Sequence, residues 1–210
     1  MARVRSDEKN YSLPVGVDGV VTRVTPSNAS LNAPMHGRFY ELCRIGNLFW
    51  AGNMAGAAHA YSVAQTTTYT GLAISNPVGN NKKLVIEAFG FSAALAYVAL
   101  SMVGIMGGYA VAGAVTAHTT PGVFGTDFGC LLLGSSNAPT ALVDEHATIS
   151  ASRVLMMFGH EGIATAVGAG SPGWIDVGGG IQVLPGGFVA TYCLTAITGN
   201  SVFWWSEEPI

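Results

Sequence analysis

A stretch without any charged residue limits most strongly what this chain can fold into. No Lys, Arg, Asp or Glu occurs between Glu87 and Asp127, and residues 91–117 are apolar enough to read as a membrane span. The stretch exceeds the roughly 20 residues that cross a bilayer as a helix. Gly104 and Gly108 also have the GxxxG spacing of packed membrane helices. The alternative is a segment that is buried within folded protein.

The glycines in this stretch favour strands over a membrane helix. Four of them lie within ten residues, namely Gly104, Gly107, Gly108 and Gly113. Each costs a helix about 1 kcal/mol relative to alanine. Charge is also sparse in residues 162–198, which a single span does not explain. We therefore predict one strand that ends near Ser92, a second over residues 97–106, and a turn at residues 107–108.

The composition of the whole chain indicates β-structure with a covered surface. Only 10% of the 210 residues are charged, whereas an ordinary soluble domain has roughly 25%. The 28 glycines, with many threonine, valine and aromatic residues, are typical of strands joined by tight turns. A formal net charge of −3 argues against a general nucleic-acid binder. The missing charge predicts that lipid or other protein covers much of the surface.

Turn residues and alternation predict the individual strands. Residues 76–81, NPVGNN, separate two β-prone runs and predict a hairpin or a linked strand pair. Residues 188–196 alternate between larger and smaller side chains, as one strand does. Residues 142–146 are interpreted as a loop or short helical turn that leads into a strand at 153–158. Many short strands with frequent turns predict an all-β fold, a β-sandwich or jelly roll.

The chain divides by composition into an arm and a module. Residues 1–36 are polar and interrupted by three prolines, so they lack both a long helix and a core of their own. We predict an extended N-terminal arm over 1–36 and a β-sandwich over 37–210. Four valines suggest that the arm lies on another surface, namely Val15, Val17, Val20 and Val21.

No motif predicts catalysis, a cofactor or a metal. Residues 168–173, GAGSPG, match GxGxxG but lack the following helix of a nucleotide site. The histidines are isolated, and His160–Glu161 does not continue as HExxH. The three distant cysteines favour small buried side chains over a redox or zinc motif. The four tryptophans suit a core or a subunit interface better than a sugar site, namely Trp50, Trp174, Trp204 and Trp205.

Several segments taken together resemble small structural proteins of tailed bacteriophage particles. The segments are GRFYELCRIGNLFWAGN, VAQTTTYTGLAISNP, NNKKLVIEAFGFS, VGIMGGY and GGIQVLPGGFVATYCLTA, in this order. The resemblance covers most of residues 38–206. It implies a β-sandwich or jelly-roll module that decorates or cements a capsid, or forms part of a fibre or collar, commonly as a trimer. It also implies an arm that reaches a neighbouring subunit.

The resemblance and the composition together predict a non-enzymatic capsid decoration or cement protein. Its expected partners are the major capsid protein and copies of itself, as a homotrimer, without direct contact to nucleic acid or membrane. It is expected on the capsid surface of a virion made in the host cytoplasm. Interface anchors are predicted at the four arm valines, Val15, Val17, Val20 and Val21, and at Phe49, Trp50, Trp204 and Trp205. The alternatives are a fibre or collar module that binds a receptor or glycan, and a membrane-associated protein.

Overall fold

The computed structural model describes residues 21–24, 30–33, 39–53, 59–61, 67–94, 101–150, 152–161 and 173–210. The chain forms two compact units, Met1–Ile45 and Gly46–Ile210. In the first, β1 (Val21–Val24) pairs antiparallel with β2 (Ser30–Ala33), and a short helix, α1 (Tyr40–Arg44), follows. The predicted boundary after residue 36 lies outside the described residues.

The second unit is a sandwich of two antiparallel sheets. Its strands are β3 (Leu48–Gly52), β4 (His59–Tyr61), β5 (Thr68–Ser75), β6 (Lys82–Ala93), β7 (Ser101–Tyr109), β8 (Val115–Pro121), β9 (Phe128–Cys130), β10 (Leu142–Ile149), β11 (Arg153–Glu161), β12 (Gly173–Val183), β13 (Gly187–Cys193) and β14 (Ile197–Pro209). Sheet I has the order β12-β6-β14-β3-β9, with β4 also pairing β14, and sheet II has the order β11-β7-β13-β5-β10-β8. The predicted all-β sandwich is confirmed.

Several strands are buried on both faces, which explains the lack of charge in the sequence. Every residue of β13 is buried, and so are residues 84–91 of β6. In β13, Val189 and Cys193 join the core between the sheets, while Phe188 and Tyr192 join a second apolar cluster. A strand covered on both faces has an unbroken apolar sequence. In the part of the chain that the structure describes, no helix is long and apolar enough to span a membrane.

The turn at residues 76–81 joins strands of different sheets. β5 pairs with β10 and β13, whereas β6 pairs with β12 and β14, so of the two predicted alternatives the linked strand pair is correct. Asn76 stabilises this connection between the two sheets, because its side-chain amide donates to the carbonyls of Lys82 and Val183 at 2.8 and 2.9 Å. The amide of Asn80 in turn donates to the Asn76 side-chain oxygen at 2.7 Å.

The glycines of β7 lie inside the strand and not at a turn, which corrects the predicted turn at residues 107–108. The chain turns later, where the Gly113 N–H donates to the Ala110 carbonyl at 2.9 Å and Gly113 has φ +100°. Gly104 instead permits close strand contact, since a Cβ there would overlap the Met156 carbonyl oxygen. The glycines therefore allow neighbouring backbones and side chains to approach β7.

We expect Gly104→Ala to destabilise the fold by about 2–3 kcal/mol, because the added methyl overpacks against backbone that cannot rotate away. The measurement is urea unfolding followed by tryptophan fluorescence. Gly173→Ala is the matched control, since a Cβ at that strand position meets its nearest atom only at 4.0 Å. Equal stability of the two variants would show that β11 shifts freely away from β7.

Residues 142–149 form strand β10, which corrects the predicted loop or helical turn at 142–146. β10 is paired on both sides, with β5 and with β8. Asp144 and Glu145 are buried within it, at 0% and 4% exposure. Adjacent carboxylates are typical of exposed loops, so the sequence of residues 142–146 favours a loop over a buried strand. The strand that follows the predicted loop is confirmed as β11.

Candidate interaction surface

Three tryptophans share the outer face of sheet I. Trp204 on β14 lies directly opposite Trp50 on β3, and opposite Ala88 on β6. Trp174 on β12 lies opposite Gly90, the neighbour of Val202 in the next strand. Residues directly opposite in a sheet point to the same face. Both sequence neighbours of Trp50 and of Trp204 lie in the core, and Ile175 beside Trp174 packs against it, so all three indoles point away from the core. We call these three residues the tryptophan face.

Glycines in adjacent strands leave room for the indole rings. A Cβ at position 90 would lie 2.9 Å from the Trp174 ring and 2.9 Å from Val202. A Cβ at position 129 would lie 3.3 Å from Trp50 Nε1. Trp174 and Trp204 meet edge to face, with centroids 4.9 Å apart and planes at 77°. Trp174 remains 50% exposed, so the sheet presents a fixed aromatic surface to the outside.

The aromatic residues that were predicted as interface anchors lie in two different environments, two on the outer face of sheet I and two in the core. Trp50 and Trp204 lie on the tryptophan face and are partly exposed. Phe49 and Trp205 are 3% and 0% exposed, and their rings pack together in the core at 5.8 Å. For these two the interface role is corrected to core packing, because a ring without exposed surface cannot contact a second subunit.

The arm residues that were predicted as anchors are mostly outside the described residues. Val15, Val17 and Val20 lie there, while Val21 begins β1. Their role at an interface therefore stays a prediction. The prediction also left out Trp174 as an anchor, although the alternation in Trp174–Ile175 would place the indole opposite a core side chain once that strand is assigned.

Large apolar side chains are exposed at several other places on the molecule. Leu133 and Val111 are 85% and 80% exposed, in segments between strands. A second group surrounds a cavity of about 560 Å³ beside β11 and β12, namely Tyr109, Leu155 and Leu184. Large exposed apolar patches mark sites of protein, membrane or ligand contact. The tryptophan face and the residues around this cavity are thus two of the apolar regions that the described residues present at the surface.

A smaller polar cavity of about 170 Å³ is lined by Ser75 and His118, among others. His118 Nδ1 lies 2.6 Å from Asp144 Oδ2, and Asp144 is buried while His118 is one-third exposed. Burial raises the pKa of Asp144, and the contact with His118 opposes this shift. Among the described residues, the buried Ser75 hydroxyl has no hydrogen-bond partner, so it does not contact the imidazole as a serine nucleophile would. The pair ties β8 to β10.

Metal ligands do not gather in the part of the chain that the structure describes. Among those residues no three His, Cys, Asp or Glu side chains come together. None of the three cysteines, all within the described residues, forms a disulfide; Cys130 and Cys193 are buried and Cys43 is partly buried. Burial raises the pKa of the Cys193 thiol, which favours the unreactive protonated form. Cys130 and Cys193 thus act as small core side chains.

Comparison with known proteins yields no relative, since no protein-family model, curated protein or solved structure matches this chain. The fold and its surfaces are therefore the basis on which a function can be argued.

Proposed function

We propose that this chain is a virion structural protein that decorates or cements a capsid, in contact with the major capsid protein and with copies of itself. The observation that carries the proposal is the tryptophan face. An aromatic surface that extends across the outer face of sheet I from its edge strand β12 to β3, in a chain with only 10% charged residues, has the character of a subunit interface. The cores of such interfaces are rich in tryptophan and poor in Lys, Glu and Asp.

The proposed mechanism is passive and depends on buried apolar area. Trp174 is half exposed and held against Trp204 and Gly90, so little side-chain entropy is lost when a partner covers it. The resemblance to phage structural proteins implies that this interface lies on a capsid surface, where the subunits resist the pressure of packaged DNA. The arm of residues 1–36 would add contacts to a neighbouring subunit.

The assembly of the purified protein tests the proposal. We expect a homotrimer by light scattering and sedimentation, and hundreds of copies per particle in virions purified from the source. Trp174→Ala should weaken assembly at least tenfold, as truncation of an aromatic hot spot does. Leu133→Ala is the control, because Leu133 is 85% exposed and not part of the tryptophan face. A protein that is monomeric at all concentrations and absent from particles would overturn the proposal.

The same surface favours one second candidate, a fibre or collar module that binds a glycan. Asp176 lies on the same face as Trp174. It is opposite Ala88 of β6, and Ala88 is opposite Trp204 on its other side, so the three residues lie side by side across the sheet. Sugars bind where aromatic rings and polar side chains occur together. Binding of the purified protein to a glycan array, lost in Trp174→Ala, together with few copies per particle, would replace the cement function with this one.

A further inference from the structure

The cavity of about 560 Å³ is a slot that opens between the two sheets at one side of the sandwich. Ile181 and Val183 of sheet I and Val189 of sheet II contribute core-facing side chains to its wall. Gly107, Gly108 and Gly187 also line it and add no side chain. Protein interiors are close-packed and contain few voids larger than a water molecule. An apolar slot of this size is therefore suited to being filled by another group.

The rim of the slot is an apolar sheet edge. Tyr109, Leu155 and Leu184 at the rim are 59%, 48% and 50% exposed. Leu155 belongs to β11, the edge strand of sheet II, and β12 is the edge strand of sheet I. An edge strand with exposed apolar side chains pairs readily with another chain, and natural proteins cover or interrupt such edges. The slot and the edge together fit an added strand, which uses the edge for main-chain hydrogen bonds and the pocket for alternate side chains.

The positive charge of Arg153 indicates that the strand that binds here carries an acidic residue. Arg153 lines the slot, and no described carboxylate forms a salt bridge with it. The matching segment therefore has apolar residues two apart and one acidic residue. Residues 14–21, PVGVDGVV, have Val15 and Val17 at that spacing and Asp18 as their single charge. Residues 1–20, which lie outside the described residues, contain three acidic residues, Asp7, Glu8 and Asp18.

We propose that residues 14–21 of a second copy bind in this slot as a strand added to β11, with Val15 and Val17 in the cavity. Asp18 then points to the outer side of the added strand, where the long and exposed Arg153 side chain reaches it from the rim of the slot. The inference rests on the proposed function and names the site on the neighbour that the arm contacts. Exchange of a terminal segment between identical subunits is a low-cost route to a closed oligomer.

Two variants of the full chain, each with one introduced cysteine and with the buried Cys130 and Cys193 retained, test this contact. Val17→Cys and Leu184→Cys, each with Cys43→Ser, are co-expressed and oxidised, and the disulfide-linked peptides are identified by mass spectrometry. Because the two cysteines are on different chains, a bond between positions 17 and 184 can form only between subunits. We expect this bond, and no bond when Leu133→Cys replaces Leu184→Cys. Oligomers in which both pairs link equally or not at all would overturn the inference and leave the proposed function standing. A monomer without cross-links would overturn both.

Charge reversal gives a second, independent measurement. Asp18→Arg and Arg153→Asp should each raise the dissociation constant of the oligomer about tenfold, since each places like charges together. The double variant should return within about threefold of the natural protein, because the pair is restored with its signs exchanged. Additive losses in the double variant would overturn the contact between Asp18 and Arg153. Both side chains are charged and Arg153 is exposed, so the folded state should tolerate these changes.

Discussion

Trp205→Ala should lower the free energy of unfolding by about 4 kcal/mol, at the upper end of what large core truncations cost. Trp205 is 0% exposed, lies opposite both Phe49 and Ile86 in sheet I, and packs its ring 5.8 Å from that of Phe49. Removal of the indole leaves a cavity in a core that two sheets hold in place. Urea unfolding at several protein concentrations measures the effect and separates it from assembly, because only the contribution of assembly changes with concentration.

Two matched variants test whether the cavity causes the loss of stability in Trp205→Ala. Trp205→Phe keeps an aromatic ring and removes the buried Nε1–H, which makes no hydrogen bond, so it should cost less than about 1.5 kcal/mol. Trp204→Ala changes the adjacent residue on the opposite face and should cost only about 1 kcal/mol, while it weakens assembly. If Trp204→Ala were the more destabilising of the two alanine variants, the assignment of core and outer face would be reversed.

The neighbouring pairs Phe49–Trp50 and Trp204–Trp205 show where sequence reasoning reached its limit. Adjacent residues of one strand point to opposite faces, so only one member of each pair can lie at an outer surface. Alternation alone does not determine which one, because both faces of these strands are rich in apolar residues. The register places Trp50 with Trp204 on one face and Phe49 with Trp205 on the other, and the burial of Phe49 and Trp205 identifies theirs as the core face.

The strands themselves were largely predictable, and their arrangement into sheets was not. Turn residues at 76–81 and alternation along 188–196 depend on local backbone preferences. The strands on both sides of the turn are confirmed, and the strand predicted over 188–196 is β13, which ends at Cys193. That β5 and β6 belong to different sheets depends on long-range pairing, which residues 76–81 do not encode. β10 was missed because the burial of Asp144 depends on His118, a partner distant in sequence.

The sequence predicts that tryptophans form an interface or a core, but it does not predict where on the molecule the tryptophan face lies. Tryptophans in a chain with little charge indicate an interface or a core, and both occur here. The position of Trp174 beside Trp204 depends on the pairing of β12 and β14 with the two sides of β6. No local pattern in the sequence contains that information.

Glu207→Ala should lower the free energy of unfolding by about 3–4 kcal/mol, because a buried donor left without its acceptor costs about 1–3 kcal/mol and Glu207 is an acceptor for several such donors. The Glu207 side chain is 0% exposed. Its Oε1 accepts the N–H groups of Thr140 and Ala141 at 2.6 and 3.0 Å, and its Oε2 accepts the Thr140 hydroxyl at 2.8 Å and Lys82 Nζ at 3.2 Å. Alanine would leave all four donors without this acceptor.

The position of Glu207 explains why a single carboxylate has so large an expected effect. Glu207 lies in β14 of sheet I, and residues 140 and 141 directly precede β10 of sheet II. The carboxylate therefore joins the two sheets at one end of the sandwich, and Lys82 connects the beginning of β6 to the same point. Glu207→Gln keeps one acceptor oxygen but places an amide N–H₂ toward the Thr140 hydroxyl or Lys82, so about half of the loss is expected.

Glu208→Ala is the control that separates a buried carboxylate from an exposed one on the next residue. Glu208 pairs with Lys83 at 3.2 Å, but its side chain is 49% exposed, so solvent screens the pair and the expected cost is below about 0.5 kcal/mol. Unfolding in urea, followed by tryptophan fluorescence, compares the three variants with the natural chain. The expected order of destabilisation is Glu207→Ala, then Glu207→Gln, then Glu208→Ala. If Glu207→Gln were as stable as the natural chain, neutral hydrogen bonds would be sufficient and the buried charge would contribute nothing to holding the two sheets together.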